Sequence, residues 1–364
     1  MNILYDHQTF SMQNYGGISR YFVELMKNMP QSYHCYNSVL FTENYYFINE
    51  DFPNKGIFFD TSNFNFKGKK SLTKTVNNQN NGWQLKKRKI DLFHPTYYDD
   101  YFLNHLNSIP YVVTVYDMIH EKFLKEENDP TLLKKKISVE NANHIIAISE
   151  NTKKDLVELY GINTDKITVV YLSHNINPLE TEIVSNLPQR YVLFVGERGW
   201  YKNFKIFVEA MEKVKKKHPE IHIVCTGRPF NEEEKLLLKK HNLLKDTHQL
   251  FVSDKQLTYL YKNAEVFVFP SEYEGFGIPI LEAFACNCPV ALSNTSCFPE
   301  IAGDGGTYFN PQKSKEMADA ILRIIEDKGW KQDKLEKASQ ILKNYSWQNT
   351  INQTIAVYDR IIKK

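Results

Sequence analysis

The stretch Val266-Phe267-Val268-Phe269-Pro270-Ser271-Glu272-Tyr273-Glu274-Gly275-Phe276-Gly277-Ile278-Pro279-Ile280-Leu281-Glu282 decides how the chain is read. The apolar run 266–269 has the length and composition of a buried strand. Pro270 and Ser271 end it. Gly275 and Gly277 let backbone approach a ligand with no Cβ in the way. Pro279 suits the first position of a new helix, with Glu282 in its first turn. The unit is therefore strand, glycine loop, helix, with Glu274 and Glu282 at its mouth. Backbone N–H groups and the helix dipole at such a turn favour an anion, such as a phosphate. Carboxylates do not ligate phosphate; they suit hydroxyl groups, as on a sugar and a ribose. Together these groups suggest a nucleotide sugar. Taken alone, the same residues also fit an ordinary α/β turn with glutamates complementing the dipole, so the surrounding pattern carries the decision.

With 364 residues, 42% of them hydrophobic, the chain can bury two cores of ordinary domain size. A net charge of +2 gives no global case for nucleic acid as a partner. The five cysteines are Cys35, Cys225, Cys286, Cys288 and Cys297. They are odd in number and lack metal-site spacing, which suits reduced thiols in a cytoplasm. The start, Met1-Asn2-Ile3-Leu4-Tyr5-Asp6, has no basic n-region or long apolar run, and no uninterrupted apolar segment could span a bilayer.

Working outward, strands are expected at 191–195, 221–226, 250–252, 265–269, 290–292 and 307–309. Helices alternate with them at 204–217, behind Asn203 as N-cap, at 231–243, from Asp254 through 261, from Pro279, and at 313–326. This alternation means βαβ units and a parallel sheet. The first half has the same rhythm, with strands at 2–5, 36–41, 91–94, 111–115, 144–148 and 167–170. Gly16-Gly17 opens a helix reaching about Met29, and another helix covers 151–160. The expected division is a first domain over 1–178 and a second over 189–345, joined by a polar, proline-containing linker. A final helix, 346–364, is expected to cross back onto the first domain.

The segment 67–89 holds Lys67, Lys69, Lys70, Lys74, Lys86, Lys87, Arg88 and Lys89 with no acidic residue. It reads as a solvated loop with a polar, mobile centre at 77–82. The sharper alternative is peripheral contact with an anionic membrane or a lipid-diphosphate acceptor.

In the second half, the first βα loop is Gly196-Glu197-Arg198-Gly199-Trp200-Tyr201-Lys202-Asn203. Arg198 and Lys202 lie beside a helix start, where two cations and backbone N–H groups would stabilise a departing diphosphate. Ligands of open α/β sheets bind at such strand ends. Gly16-Gly17-Ile18-Ser19-Arg20 is a second phosphate-facing loop, but it is not the G-x-G-x-x-G of a nicotinamide fingerprint. No D-x-D metal motif occurs, since Asp99 and Asp100 are adjacent, and no metal need be invoked if Arg198 and Lys202 serve the leaving group.

On these residues, with Pro299-Glu300 further on, the chain resembles the retaining family 4 glycosyltransferases of the GT-B fold: two Rossmann-like doubly wound α/β domains facing across a cleft. Tyr15-Gly16-Gly17-Ile18-Ser19-Arg20-Tyr21-Phe22 and Val112-Val113-Thr114-Val115-Tyr116-Asp117 resemble its bacterial mannosyltransferase branch, which builds O-antigen and capsule glycans. The resemblance implies roles. Arg198 and Lys202 would hold the donor diphosphate, and Glu282 the ribose hydroxyls. Glu274 would touch the donor sugar and steady charge at its anomeric carbon. Gly275, Phe276, Gly277 and Ile278 would offer backbone N–H groups, and Gly16 and Gly17 would face the substrate. Where the family often carries His-Asp, this chain has Tyr116-Asp117, with His120 three residues on. Either Tyr116 or His120 is thus a candidate replacement, and Asp117 and His94 are candidate contacts.

The expectation is a cytoplasmic retaining hexosyltransferase, possible at the inner membrane face, with no metal and no cofactor beyond the nucleotide-sugar donor. The implied transfer is of a hexose, first of all mannose from GDP-mannose, to a saccharide or lipid-linked acceptor. The rivals are a nucleotide-sugar epimerase or a sugar phosphorylase on the same fold, and a non-catalytic nucleotide-sugar-binding protein.

Overall fold

A computed structural model describes residues 1–123 and 129–363. The chain divides into two compact units, Met1–Leu172 with Trp347–Lys364, and Ser173–Ser346.

The first unit contains β1 (Asn2–Tyr5), β2 (His34–Asn37), β3 (Phe41–Thr42), β4 (Phe59–Asp60), β5 (Leu92–His94), β6 (Val112–Val115), β7 (His144–Ala147) and β8 (Ile167–Val169). Two parallel three-stranded sheets, ordered β2-β1-β5 and β6-β7-β8, are joined by a parallel bridge between Phe93 and Tyr111. β3 and β4 form a separate short pair. The sequence reading ran β2 and β3 together as one strand over 36–41. In the structure Asn37 ends β2, where its side chain caps Val39 N–H and binds the carbonyls of Asn54 and Lys55. The helix Trp347–Ile362 belongs to this unit. Its Tyr358 hydroxyl lies 3.2 Å from that of Tyr5 and 2.6 Å from His94 Nδ1.

The second unit is one six-stranded parallel sheet: β9 (Tyr191–Phe194), β10 (His222–Thr226), β11 (Thr247–Leu250), β12 (Val266–Phe269), β13 (Val290–Ser293) and β14 (Gly306–Phe309). Its order is β11-β10-β9-β12-β13-β14. The chain winds out from β9 to β11, then returns to place β12 on the other side of β9. The order reverses between β9 and β12, and the C-terminal ends of strands at such a reversal are where open α/β sheets bind ligands. β9, β12 and β13 are buried throughout, as strands covered on both faces must be, and read as apolar runs. Phe207, Met211 and Val214 of the helix Phe204–Lys217 pack there with Met317 and Ile321 of Ser314–Glu326.

Several elements differ in detail from the sequence reading. β11 ends at Leu250, leaving Phe251 exposed beyond it. Ser253, not Asp254, caps the next helix, in a capping box with Gln256. Asn203 stands at the cap position without a side-chain cap bond; its Nδ2 donates to the Pro311 carbonyl at 2.7 Å instead. Pro279 is the second helical residue, after Ile278. Helices at Pro130–Asn141 and Lys328–Leu342 carry little amphipathic signal and were not expected.

The largest difference is the basic segment. Its centre is not a mobile loop but part of a 19-residue helix, Lys69–Lys87. The buried face is polar: Asn77, Asn81 and Gln84 point inward with Leu85. Asn77 accepts from the N–H groups of Leu40 and Phe41 and donates to Phe41 O and Ser11 Oγ. Asn80 and Gln84 donate to the carbonyls of Ser38 and Asn37. The helix thus satisfies irregular backbone that leaves β2. No helix of the described residues is long and apolar enough to cross a membrane.

Candidate functional site

The loops after β9 and β12 flank the point where the sheet order reverses. After β9 the chain turns at Gly196, at φ +98°, and its N–H donates to Thr226 Oγ1 at 3.1 Å. The neighbouring strand end passes close by. A Cβ on Gly227, at φ +103°, would stand 3.0 Å from the Gly196 carbonyl oxygen, so only glycine fits. The short 3-10 turn Trp200–Lys202 then carries Lys202. The Glu272 N–H donates to the Tyr201 carbonyl at 2.8 Å, tying the two loops together.

Lys202 Nζ lies 2.6 Å from Glu274 Oε1, a pair of side chains only 19% and 13% exposed. It also sits over the rings of Tyr201 and Phe269. Burial works against the ammonium, but Glu274 and Tyr201 outweigh it and hold its pKa above the ordinary lysine value. Lys202 therefore stays charged at neutral pH.

Glu274 begins a turn gripped from the next loop. Ser296, at φ +57°, has its Oγ donating to the Glu274 carbonyl at 2.6 Å and accepting from the Glu274 N–H at 3.2 Å. The Cys297 thiol donates to the carbonyls of Glu274 at 3.2 Å and Phe276 at 3.1 Å. Gly275, Phe276 and Gly277 are buried, and Ile278 is half-buried. Gly277 caps the helix Ile278–Ala285 at φ +94°. Glu282, half-buried in that helix, accepts from the Tyr261 hydroxyl at 3.3 Å. Burial and the nearby Glu282 push the Tyr261 phenol well up, so it remains a donor.

Arg198 is placed differently from Lys202. Its side chain is fully buried. Nη1 donates to the Thr226 carbonyl at 3.0 Å and Nη2 to that of Arg228, while Nε lies 3.4 Å from Glu234 Oε1. The guanidinium stacks 4.6 Å over Phe230. It is committed to the exit of β10. The two cations grouped in sequence thus have different partners: Arg198 holds backbone carbonyls at the β10 exit, and Lys202 holds Glu274.

In the first unit, Gly16 is extended, and Gly17 starts the helix Gly17–Asn28, with Ser19 Oγ donating to the Gly16 carbonyl at 2.9 Å. Tyr116 is buried among the rings of Tyr21 and Tyr98; its phenol oxygen has no hydrogen-bond partner among the described residues, and burial pushes its pKa well up. Asp117 Oδ1 accepts from the Ile119 N–H, and its carbonyl accepts from Lys135 Nζ. His120 is half-buried in the helix Ile119–Phe123. His94 is a core residue. Its Nε2 lies 2.9 Å from Thr114 Oγ1, and burial pulls its pKa down to about 3.

Ser296, Cys297 and Tyr261 were not singled out from sequence. The signal available was slight: a small-polar run just before Pro299, and a tyrosine on the helix preceding β12.

Two comparisons of sequence and one of structure bear on this arrangement. Residues 15–176 match the model of glycosyltransferase family 4, and residues 175–344 that of glycosyl transferases group 1. The O-antigen chain mannosyltransferase B of Escherichia coli is 28% identical over 237 residues, 61% of each chain. The O-antigen chain mannosyltransferase RfbU of Salmonella typhimurium is 32% identical over 190 residues, 52% of this chain and 53% of that one. The chain thus spans half to six-tenths of the length of these curated relatives. Among solved structures, the sucrose-phosphate synthase of Thermosynechococcus elongatus superposes with a TM-score of 0.78 at 19% identity, over 100% of this chain and 99% of the other. Anabaena HepE in complex with UDP-glucose gives 0.76 at 17% identity, over 99% and 100%.

Those likenesses and the two doubly wound units define a GT-B fold. The chain belongs to the family 4 glycosyltransferases.

Proposed function

We propose that the chain is a retaining hexosyltransferase of surface polysaccharide synthesis, with mannose from GDP-mannose as its first candidate donor. The observation that carries this is the Lys202–Glu274 pair, set across the sheet reversal at the mouth of the Gly275–Ile278 turn. The mannosyltransferase names of the relatives support the sugar, and the UDP-glucose complex of HepE supports a nucleotide-sugar donor.

On this reading the donor diphosphate takes the Lys202 ammonium, which stabilises the charge that grows as the nucleoside diphosphate leaves. Released from Lys202, Glu274 meets the donor sugar and steadies positive charge at its anomeric carbon. Glu282 accepts from the ribose hydroxyls, held in place by Tyr261. The departing phosphate takes the proton of the acceptor hydroxyl. Arg198, tied to the β10 exit, is the second candidate cation for the diphosphate. Gly16, Gly17, Asp117 and His120 remain candidate contacts of the first unit. The reaction needs no metal and no cofactor beyond the donor.

We place the chain in the cytoplasm, against the inner membrane face. Ile57, Phe59, Phe64, Phe66 and Leu72 are exposed beside Lys67 and Lys70, a mixture suited to anionic lipid. Sedimentation with anionic against neutral vesicles tests this placement; equal binding to both contradicts it.

Glu274→Ala tests the chemistry. With GDP-mannose and a lipid-linked oligosaccharide extract, the variant should release no GDP above background while its far-UV circular dichroism shows it folded. Normal turnover by the variant would refute the role.

A further inference from the structure

Tyr15 and Tyr45 meet on the surface of the first unit and stay out of its core. Their rings stack with centroids 5.1 Å apart and planes 25° apart. Tyr15 is 65% exposed and Tyr45 48%. Tyr46 stands edge-on to both, 6.3 Å from Tyr15 and 5.7 Å from Tyr45. The guanidinium carbon of Arg20 lies 5.2 Å over the Tyr46 ring.

The backbone beneath is fixed. The Tyr45 N–H donates to the Asn14 carbonyl at 2.9 Å, and Asn44 Nδ2 to the Gln13 carbonyl at 2.7 Å. Asn44 also caps the short helix Tyr45–Asn49, whose Phe47 is fully buried against Phe10. The rings therefore stand on an anchored base, not on a loose loop tip.

A single exposed tyrosine needs no explanation. Two exposed rings stacked together with a half-buried third, the first of them directly before Gly16 and Gly17, do. Ordering them costs rotamer freedom while their outer faces stay wet. Each ring offers an electron-rich face and a polar hydroxyl tip. A pyranose is the complement: one face carries C–H bonds polarised positive, and its edge carries hydroxyls. The exposed Tyr15 and Tyr45 hydroxyl tips supply hydrogen-bonding groups for that edge.

We infer that Tyr15, Tyr45 and Tyr46 form a stacking platform for a pyranose ring, which is the acceptor saccharide. Only the word acceptor rests on the proposed transferase function; the binding of a pyranose does not.

Saturation-transfer NMR on the full chain tests it. The probes are the methyl glycosides of mannose, glucose, galactose, rhamnose and N-acetylglucosamine. The proteins are wild type, Tyr15→Ala, Tyr45→Ala and Tyr45→Phe. At least one glycoside should receive saturation through the C–H protons of one face. Both alanine variants should weaken it by about tenfold, roughly 1.4 kcal/mol, while Tyr45→Phe, which keeps the ring and loses one hydroxyl, should weaken it less. Thermal unfolding should be unchanged, since both side chains are exposed. Failure of every glycoside to bind, or equal binding by the alanine variants, overturns the platform.

Parallel titrations with GDP-mannose and UDP-glucose separate the two proposals. The tyrosine variants should leave nucleotide-sugar binding intact. Loss of nucleotide-sugar binding with pyranoside binding untouched would make the rings a nucleobase stack and overturn the inference. Pyranoside binding in a wild type that takes no sugar nucleotide would support the platform and sink the donor reading.

Discussion

Cys297 works through two weak hydrogen bonds to the turn that carries Glu274. Its thiol is fully buried, and burial with the nearby Glu274 and Glu300 carboxylates pushes its pKa well up, so it remains a protonated donor. Cys297→Ala removes the donor and leaves the carbonyls of Glu274 and Phe276 without it. The cost should be about 1–3 kcal/mol of stability, with a raised KM for the donor. Cys297→Ser keeps a donor and should recover most of both. Equal donor KM in all three proteins would show that the thiol does not position the turn. Arg198 gives a contrasting prediction. Arg198→Lys loses the bonds to Thr226 and Arg228 and the stack on Phe230. It should lower the melting temperature by several degrees, roughly 1–3 kcal/mol, whereas the main effect of Lys202→Ala should be to weaken donor binding. From sequence the two cations looked equivalent. What separates them is backbone: Trp200 at φ +54° reverses the chain between them, and no spacing rule reports a left-handed tryptophan.

At the scale of elements, the helix Lys69–Lys87 has the least usual logic. Its inward face is built of amides that satisfy the carbonyls and N–H groups left where β2 ends. Asn77→Ala removes four hydrogen bonds in a fully buried position. It should cost about 2–4 kcal/mol, read from a denaturant midpoint, although an exposed polar loop would tolerate it within about 0.5 kcal/mol. Hydrophobic periodicity could not find this helix, because its period is written in Asn and Gln. The start of the helix Ile278–Ala285 was legible for the opposite reason. Gly277 at φ +94°, followed by proline and a run of apolar residues, states its geometry in residue types. A Cβ there would meet Ile280 Cδ1 at 3.1 Å. Strand existence in the second unit was equally plain, since buried parallel strands read as apolar runs. Their ends were not, as Phe251 beyond β11 illustrates.

Across the whole molecule, the winding order places Lys202 and Glu274 on opposite sides of one reversal, and that order follows from the βα alternation. The core of the first unit adds a pH dependence. His94 is buried neutral between Tyr358 and Thr114, with its pKa pulled from 6.5 to about 3 by burial. Between these values the unfolded chain binds a proton that the folded chain refuses, so stability falls as pH falls. Its contribution should be lost at about 1.4 kcal/mol per pH unit below 6.5. His94→Asn should flatten that part of the stability curve between pH 4 and 6.5, roughly the window set by the two pKa values. An unchanged slope would mean that His94 titrates in the folded state.

The most direct measurement is calorimetric titration of GDP-mannose, UDP-glucose, ADP-glucose and dTDP-glucose into wild type and Lys202→Ala, each with and without EDTA. A donor site at the β9–β12 reversal predicts saturable binding of one sugar nucleotide, insensitive to EDTA and weakened by about tenfold or more in the variant. Binding by none of the four, or equal affinity in Lys202→Ala, would contradict a donor site built on the Lys202–Glu274 pair.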